Sequence, residues 1–326
     1  MFTDFAKLFS SDFILGFYFP SMLFVIAATV VYFLFHQTAS DILLCLWAQK
    51  DWAIPCALFI SWVLGVLLLA ANSPLVRFLE GYYLLRHTFL LKRQQRKFNE
   101  LGSDIADMEE KHEKELKNKE PSPEAELMYM KKLIQRRVYY PDKRGQVLPT
   151  EFGNVMRAFE TYSTVMYGMD SIPLWPRLSA IIPEAYMEAL NAARAKMDFT
   201  INMVYLAAVI FMVYCIFAAL TETLPALWIA GLAILIMWGA YRMAIINAIQ
   251  WGNLVKSSFD LYRYDLLKQM GLERPASWEQ ERDLWTAISP SFLYWYHLKA
   301  ARANDKEVPP TSGGSKVTSG GVTHPD

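Results

Sequence analysis

Residues Phe199–Leu220 read FTINMVYLAAVIFMVYCIFAAL, a run without one acidic or basic side chain. At about 1.5 Å per helical residue it reaches across a hydrocarbon core of about 30 Å. The connection Thr221-Glu222-Thr223-Leu224-Pro225 turns the chain, and the return arm Ala226–Tyr241 stays uncharged until Arg242, whose long side chain can snorkel to the headgroups. This pattern predicts two spanning helices joined as a hairpin.

The same reading extends to the N-terminal side. Phe13–Phe35 is apolar, far longer than a signal-peptide core, and has no small-residue cleavage pattern after it, so a retained span is expected. Ala53–Ala71 brings the chain back, with Trp47 and Trp52 suited to an interfacial belt. Basic residues then arrive together as Arg77, Arg86, Lys92, Arg93, Arg96 and Lys97, and again after the last span as Arg242, Lys256, Arg263 and Lys268. Positive charge gathers on the cytoplasmic side, which places the connections His36–Trp52 and Thr221–Pro225 outside and both termini in the cytoplasm of a multi-pass membrane protein.

Composition agrees with a mixed molecule. Hydrophobic residues make up 54% and charged residues 20% of the chain, too polar for a protein that is all membrane. A formal net charge of zero offers no basic field for nucleic acid. The three cysteines, Cys45, Cys56 and Cys215, lie in apolar surroundings with no CxxC pair, and read as small buried apolar residues.

The expected fold is therefore all-α. It comprises an N-terminal transmembrane hairpin (1–72), a cytoplasmic helical insert (73–198), a second transmembrane hairpin (199–251), further cytoplasmic helices packing with the insert (252–303) and a disordered tail (304–326) rich in Ser, Thr, Gly and Pro. Pro74 reads as a restart or kink of the helix, followed by an interfacial helix over Leu75–Leu91. Arg93–Lys119, with Glu110–Lys114, Glu113–Lys117 and Glu115–Lys119 spaced i,i+4, and Glu124–Val138 predict a charged helical hairpin broken at Pro121 and Pro123. A helix over Glu151–Tyr167, an irregular Gly168–Pro176, a helix from Glu184 into the third span, one helix from Leu227 to Met270, and a segment Trp278–Leu298 interrupted at Pro290 complete the expectation.

No Walker loop, nucleophile elbow or paired Cys/His set is present, and His112-Glu113 lacks the second His of a zinc-protease motif because Leu116 stands in its place. The reading is a protein that is not an enzyme, with no catalytic residues, cofactor or metal. Only Glu80 and His87 offer interfacial groups for lipid chemistry. Small residues recur every four positions at Ala57, Ser61, Gly65 and at Ala240, Ala244, Ala248, Gly252, which lets helix backbones approach closely in a membrane, either within one subunit or at a subunit interface. Polar groups near the membrane, Ser61, Asn72, Ser73, Glu80, Arg242 and Asn247, are the candidates for a pore or gate, with Arg77–Glu80 more simply an i,i+3 pair. Asp170, Trp175 and Arg177 form a candidate joint that docks the cytoplasmic part beneath the membrane: a cap, a buried anchor, and a cation for a carboxylate or lipid phosphate.

The stretches Leu148-Pro149-Thr150, Gly153-Asn154-Val155-Met156-Arg157-Ala158, Tyr167-Gly168-Met169-Asp170, Trp175-Pro176-Arg177-Leu178 and Phe259-Asp260-Leu261-Tyr262-Arg263 resemble parts of uncharacterised bacterial four-span inner-membrane proteins. The resemblance covers about the second half of the chain and implies location without activity. The layout of two spans, a helical insert, two spans and a long helix is similar to that of bestrophin-type anion channels, which are pentamers, although no bestrophin motif is present. Layout, small-residue stripes and the lack of midplane charge lead to the expectation of a homo-oligomeric ion channel in the lipid bilayer with a cytoplasmic vestibule. The alternative is a membrane-anchored scaffold or sensor whose helical domain binds a cytoplasmic protein partner.

Overall fold

The computed structural model describes residues 10–36, 50–83, 89–117, 123–221 and 224–294, and every regular element among them is helical. Expectations for His87, the outer connection with Cys45 and Trp47, the Glu115–Lys119 pair and the tail lie outside these residues. Four helices are long and apolar enough to cross a membrane: Ser11–Val30, Trp52–Glu80, Glu184–Ala219 and Leu227–Gln269. Their surfaces carry many exposed apolar side chains, among them Ile54, Phe59, Leu67, Trp228, Leu235 and Trp238. Such a surface suits hydrocarbon.

The first span starts as α1 (Ser11–Phe13), capped by the Ser10 hydroxyl, widens into a π-helical turn (Ile14–Tyr18), and continues as α2 (Phe19–His36). The second, α3 (Lys50–Glu80), runs unbroken through both Pro55 and Pro74. The restart expected at Pro74 does not occur, because packing on both sides holds the helix together across the missing amide.

The helix stops at Gly81 instead, where φ is +92°. The Gly81 amide reaches Phe78 O and the Tyr82 amide reaches Arg77 O, a pair of bonds that satisfies the last carbonyls of α3. The expected interfacial helix Leu75–Leu91 is thus split, its first part belonging to α3 and its last residues to α4 (Phe89–Lys117).

Helix α4 and α5 (Pro123–Tyr139) pack on each other through Lys132–Asp104 at 2.8 Å, Arg136 over the Phe98 ring and His112 stacked on Tyr129. Glu110–Lys114 pairs at 2.6 Å as its spacing predicts. Yet Leu127, Met130 and Ile134 of α5 stay exposed.

The expected helix Glu151–Tyr167 is two: α6 (Glu151–Glu160) and α7 (Tyr162–Tyr167). They break at Thr161, whose hydroxyl bonds back to Arg157 O. Gly168–Pro176 is not irregular throughout, since Asp170 caps α8 (Ser171–Ser179) and Pro173 sits in its first turn, where no amide is needed. Helix α9 (Glu184–Thr221) and the 46-residue α10 (Leu224–Gln269) each run from the helical body into a span. They pack on each other, with Tyr186 OH on Leu254 O and Asn247 on Lys196 O and Thr200. Helix α11 (Trp278–Tyr294) passes through Pro290 without the expected interruption.

The main core sits on the N-terminal half of α9 and the C-terminal half of α10, where Phe152, Phe159, Met169, Leu174, Leu178, Phe259, Leu267 and Trp285 are buried. Of the small-residue positions, Ala244 and Ala248 are fully buried, Gly252 receives the Phe159 ring, and Gly65 lies against the Tyr18 backbone. These positions serve packing within one chain.

Candidate functional site

The body is fastened to the second span where the C-terminus of α3 meets the N-terminus of α6. The Thr150 hydroxyl shares its one proton between Leu79 O at 2.8 Å and Glu80 O at 3.0 Å, while accepting from the Gly153 amide at 2.9 Å. One side chain therefore caps both helices, and their dipoles meet end to end. The Asn154 side chain accepts from the Leu148 amide at 2.7 Å and donates to Leu148 O at 3.0 Å, fixing the loop that delivers Pro149 against Gly81. Gly153 faces Glu80 so closely that a β-carbon there would lie 2.2 Å from Glu80 O.

Beside this joint opens a cleft of about 790 Å³. Asn72, Ser73, Arg77 and Glu80 line it from α3, Tyr82 and Tyr83 from the turn, Arg157 and Glu160 from α6, and Arg194 from α9. Arg157 donates Nη2 to Tyr82 OH and holds Nη1 3.3 Å from Glu160 Oε2, while its buried Nε has no partner. Burial pushes the Glu160 carboxyl above its ordinary range, opposed by the Arg157 charge, and also raises the Tyr82 phenol. Glu80 is 6% exposed, yet its carboxylate makes no hydrogen bond or ion pair among the described residues, and neither does the Arg77 guanidinium. The i,i+3 pair read from their spacing is not made.

Above the cleft, a buried polar layer links three spans. Asn72 donates to Asp198 Oδ1 at 3.3 Å, Arg194 Nε lies 3.9 Å from Asp198 Oδ2, and Asn202 donates to Gly16 O at 2.8 Å, within the π-helical turn. Tyr205 OH donates to Leu75 O at 2.6 Å. These bonds give the lower ends of the spans a fixed register.

The expected pore candidates thus divide. Asn72, Ser73 and Glu80 share the cleft. Ser61 is buried in α3 and donates to Ala57 O. Asn247 sits between α9 and α10. Arg242 lies in a second cleft of about 700 Å³, where Glu151 receives both Arg242 and Lys97 at 3.0 Å. In this second cleft, desolvation pushes the Tyr140 phenol up to about 12.

The expected docking residues are dispersed along α8. Asp170 caps it, Trp175 tilts on Phe259, and Arg177 bonds Pro173 O and lies over the Phe292 ring, so it meets neither a carboxylate nor the cleft. The contact between α3 and α6 is made by Thr150 and Gly153, with Asn154 holding the loop before it. Sequence reading missed Arg157, Glu160 and Arg194 as cleft residues; the first two lie on α6 and the third on α9, and only tertiary packing brings them to Glu80.

Asp260 accepts from Tyr162 OH and Tyr167 OH, at 3.0 Å and 2.6 Å, and Arg263 pairs with Glu281 at 2.7 Å, locking α10 to α7 and α11. Among the described residues no group of three or more His, Cys, Asp or Glu side chains is placed to hold a metal ion. Compared with known protein families, with curated proteins and with solved structures, the chain matches none.

Proposed function

We propose that the chain is a multi-pass inner-membrane protein whose four apolar helices form two hairpins, with the helical body and both termini in the cytoplasm, and that its copies assemble into an ion channel. The cleft carries this reading. Ala53–Ala71 rises about 28 Å, so Asn72 falls at the inner edge of the bilayer, and the cleft opens there with charges of both signs. Polar and charged groups gathered at a membrane boundary suit the mouth of a conduction path. The topology is supported by geometry as well as charge counting. Arg77 and Arg242 follow different spans, and α6 touches both regions, through Thr150 with the end of α3 and through Glu151 with Arg242. Both basic ends therefore face the helical body.

Four spans enclose no pore of their own, which is why the reading requires several copies. The mass of the particle in detergent or nanodiscs, by light scattering corrected for detergent and lipid, tests this. A single discrete species of four or more chains is expected; a monomer or dimer would reject the channel.

One observation favours the second reading, a membrane-anchored scaffold. Leu127, Met128, Met130 and Ile134 leave an apolar strip of α5 open on the cytoplasmic hairpin, the kind of face a partner helix covers. Removing residues 100–134 would abolish partner capture by a scaffold while leaving a channel's assembly intact.

A further inference from the structure

We propose that the cleft below the second span binds the headgroup of a phospholipid bearing both a phosphate and a primary ammonium, the phosphate held by Arg77, Arg157 and Arg194 and the ammonium by Glu80. The inference rests on the membrane placement proposed above and does not require conduction.

Three arginines reach the cleft with donors to spare. The Arg77 guanidinium makes no hydrogen bond or ion pair among the described residues, Arg157 turns one hydrogen of each Nη to Tyr82 and Glu160 and keeps the second, and Arg194 stands 3.9 Å from Asp198, beyond a good hydrogen bond. Planar guanidinium forks match phosphate oxygens better than any other side chain. A simple anion would leave the other half of the site unexplained. Glu80 is almost wholly buried, lines the same cleft, and has no hydrogen-bonding partner. Its carboxylate opens on the cleft with no donor on its oxygens, and an ammonium with three donors would supply them.

The shape suits an amphiphile. Leu69 and Ala70 form an apolar wall of the cleft and are exposed, so acyl chains can run along α3 while the headgroup occupies the polar part. About 790 Å³ lies within the usual range for small-molecule sites, about 300–1,000 Å³. Tyr82 and Tyr83, both exposed, sit where interfacial aromatics anchor.

The test is lipid retention by mass spectrometry after reconstitution in nanodiscs of equimolar phosphatidylethanolamine, phosphatidylcholine and phosphatidylglycerol, then exchange into detergent and washing. The wild type should keep phosphatidylethanolamine over both others by on the order of tenfold, the worth of one charge-assisted hydrogen bond. Arg77→Gln combined with Arg194→Gln, both at exposed side chains, should remove that enrichment. Glu80→Gln should retain phosphatidylglycerol at least as well as phosphatidylethanolamine. Equal retention of the three lipids by the wild type, or an unchanged preference in Glu80→Gln, overturns the proposal. If inorganic phosphate raises the melting temperature of the lipid-depleted protein as much as phosphatidylethanolamine does, the ligand is a free phosphate and the lipid assignment is overturned. Total lipid retained per chain reads the membrane placement separately: a chain that stays dispersed without detergent and keeps no lipid of any kind refutes that placement rather than the cleft's preference.

Discussion

Replacing Gly153 with alanine tests the joint that ties the helical body to the second span. The new β-carbon would sit 2.2 Å from Glu80 O and 2.9 Å from Glu80 C and Cα. Ordinary carbon–oxygen contacts begin near about 3.3 Å, so α6 must withdraw from α3 by about 1 Å. Withdrawal stretches the bond that the single Thr150 hydroxyl proton shares between Leu79 O and Glu80 O, now 2.8 Å and 3.0 Å, worth about 1 kcal/mol net. Holding position instead costs the overpacking penalty of about 1–3 kcal/mol. Alanine returns up to about 1 kcal/mol of helix propensity. Relative to a glycine-to-alanine change that meets no neighbour and carries the same propensity gain, the loss is about 1–3 kcal/mol, or roughly 2–5 °C in melting temperature. Tryptophan fluorescence during heating in nanodiscs reads it, with Gly231→Ala as control because nothing lies within 4 Å of a β-carbon there. A Gly153→Ala protein melting at or above the control would show that α3 and α6 do not meet as described.

Other residues give sharper or smaller effects. Trp285→Ala empties a fully buried site in the core and should cost about 3–5 kcal/mol, seen as early proteolysis of α11. Glu281→Gln strips the partner from Arg263 in a pair whose side chains are only 12% and 3% exposed, and should destabilise by about 3–5 kcal/mol in the same melting assay. For Glu160, burial makes the folded protein hold the carboxyl proton more tightly than the unfolded chain. Its contribution is therefore fully present below its ordinary value of 4.5 and is lost as pH rises through the folded value. Melting curves across pH should show the wild type falling relative to Glu160→Gln over that interval, and a constant difference would contradict the assignment. Glu151→Gln loosens a node whose two cations are 40% and 53% exposed, and should shift stability by less than about 1 kcal/mol per pair.

What the sequence made legible follows the strength of each physical signal. Charge-free runs such as Phe199–Leu220 specify long helices because each must bury so much apolar surface, and the unbroken stripe from Leu254 to Met270 announced that α10 continues well beyond its charge-free run, ending before Gly271. Proline misled in three places. Pro74, Pro173 and Pro290 all lie within helices, where tertiary packing or a first-turn position removes their penalty. Gly81 carried the helix stop that was read into Pro74, since a glycine after Leu79-Glu80 is the residue type that a left-handed end requires. The cleft was half visible. Asn72, Ser73 and Glu80 share one helix and one neighbourhood, whereas Arg157 and Arg194 come from two others, and no spacing rule links positions so far apart in the chain. The π-helical turn at Ile14–Tyr18 has no local signature either; its carbonyl partner, Asn202, lies two spans away.

Current across planar bilayers containing the purified, reconstituted protein tests the central claim most directly. The account predicts discrete unitary currents whose reversal potential in an asymmetric salt gradient shifts when Arg77 is changed to Glu, because that side chain lines the cleft proposed as the mouth of the conduction path. Bilayers that stay silent with inserted protein of verified oligomeric mass, or currents indifferent to Arg77→Glu, would contradict it.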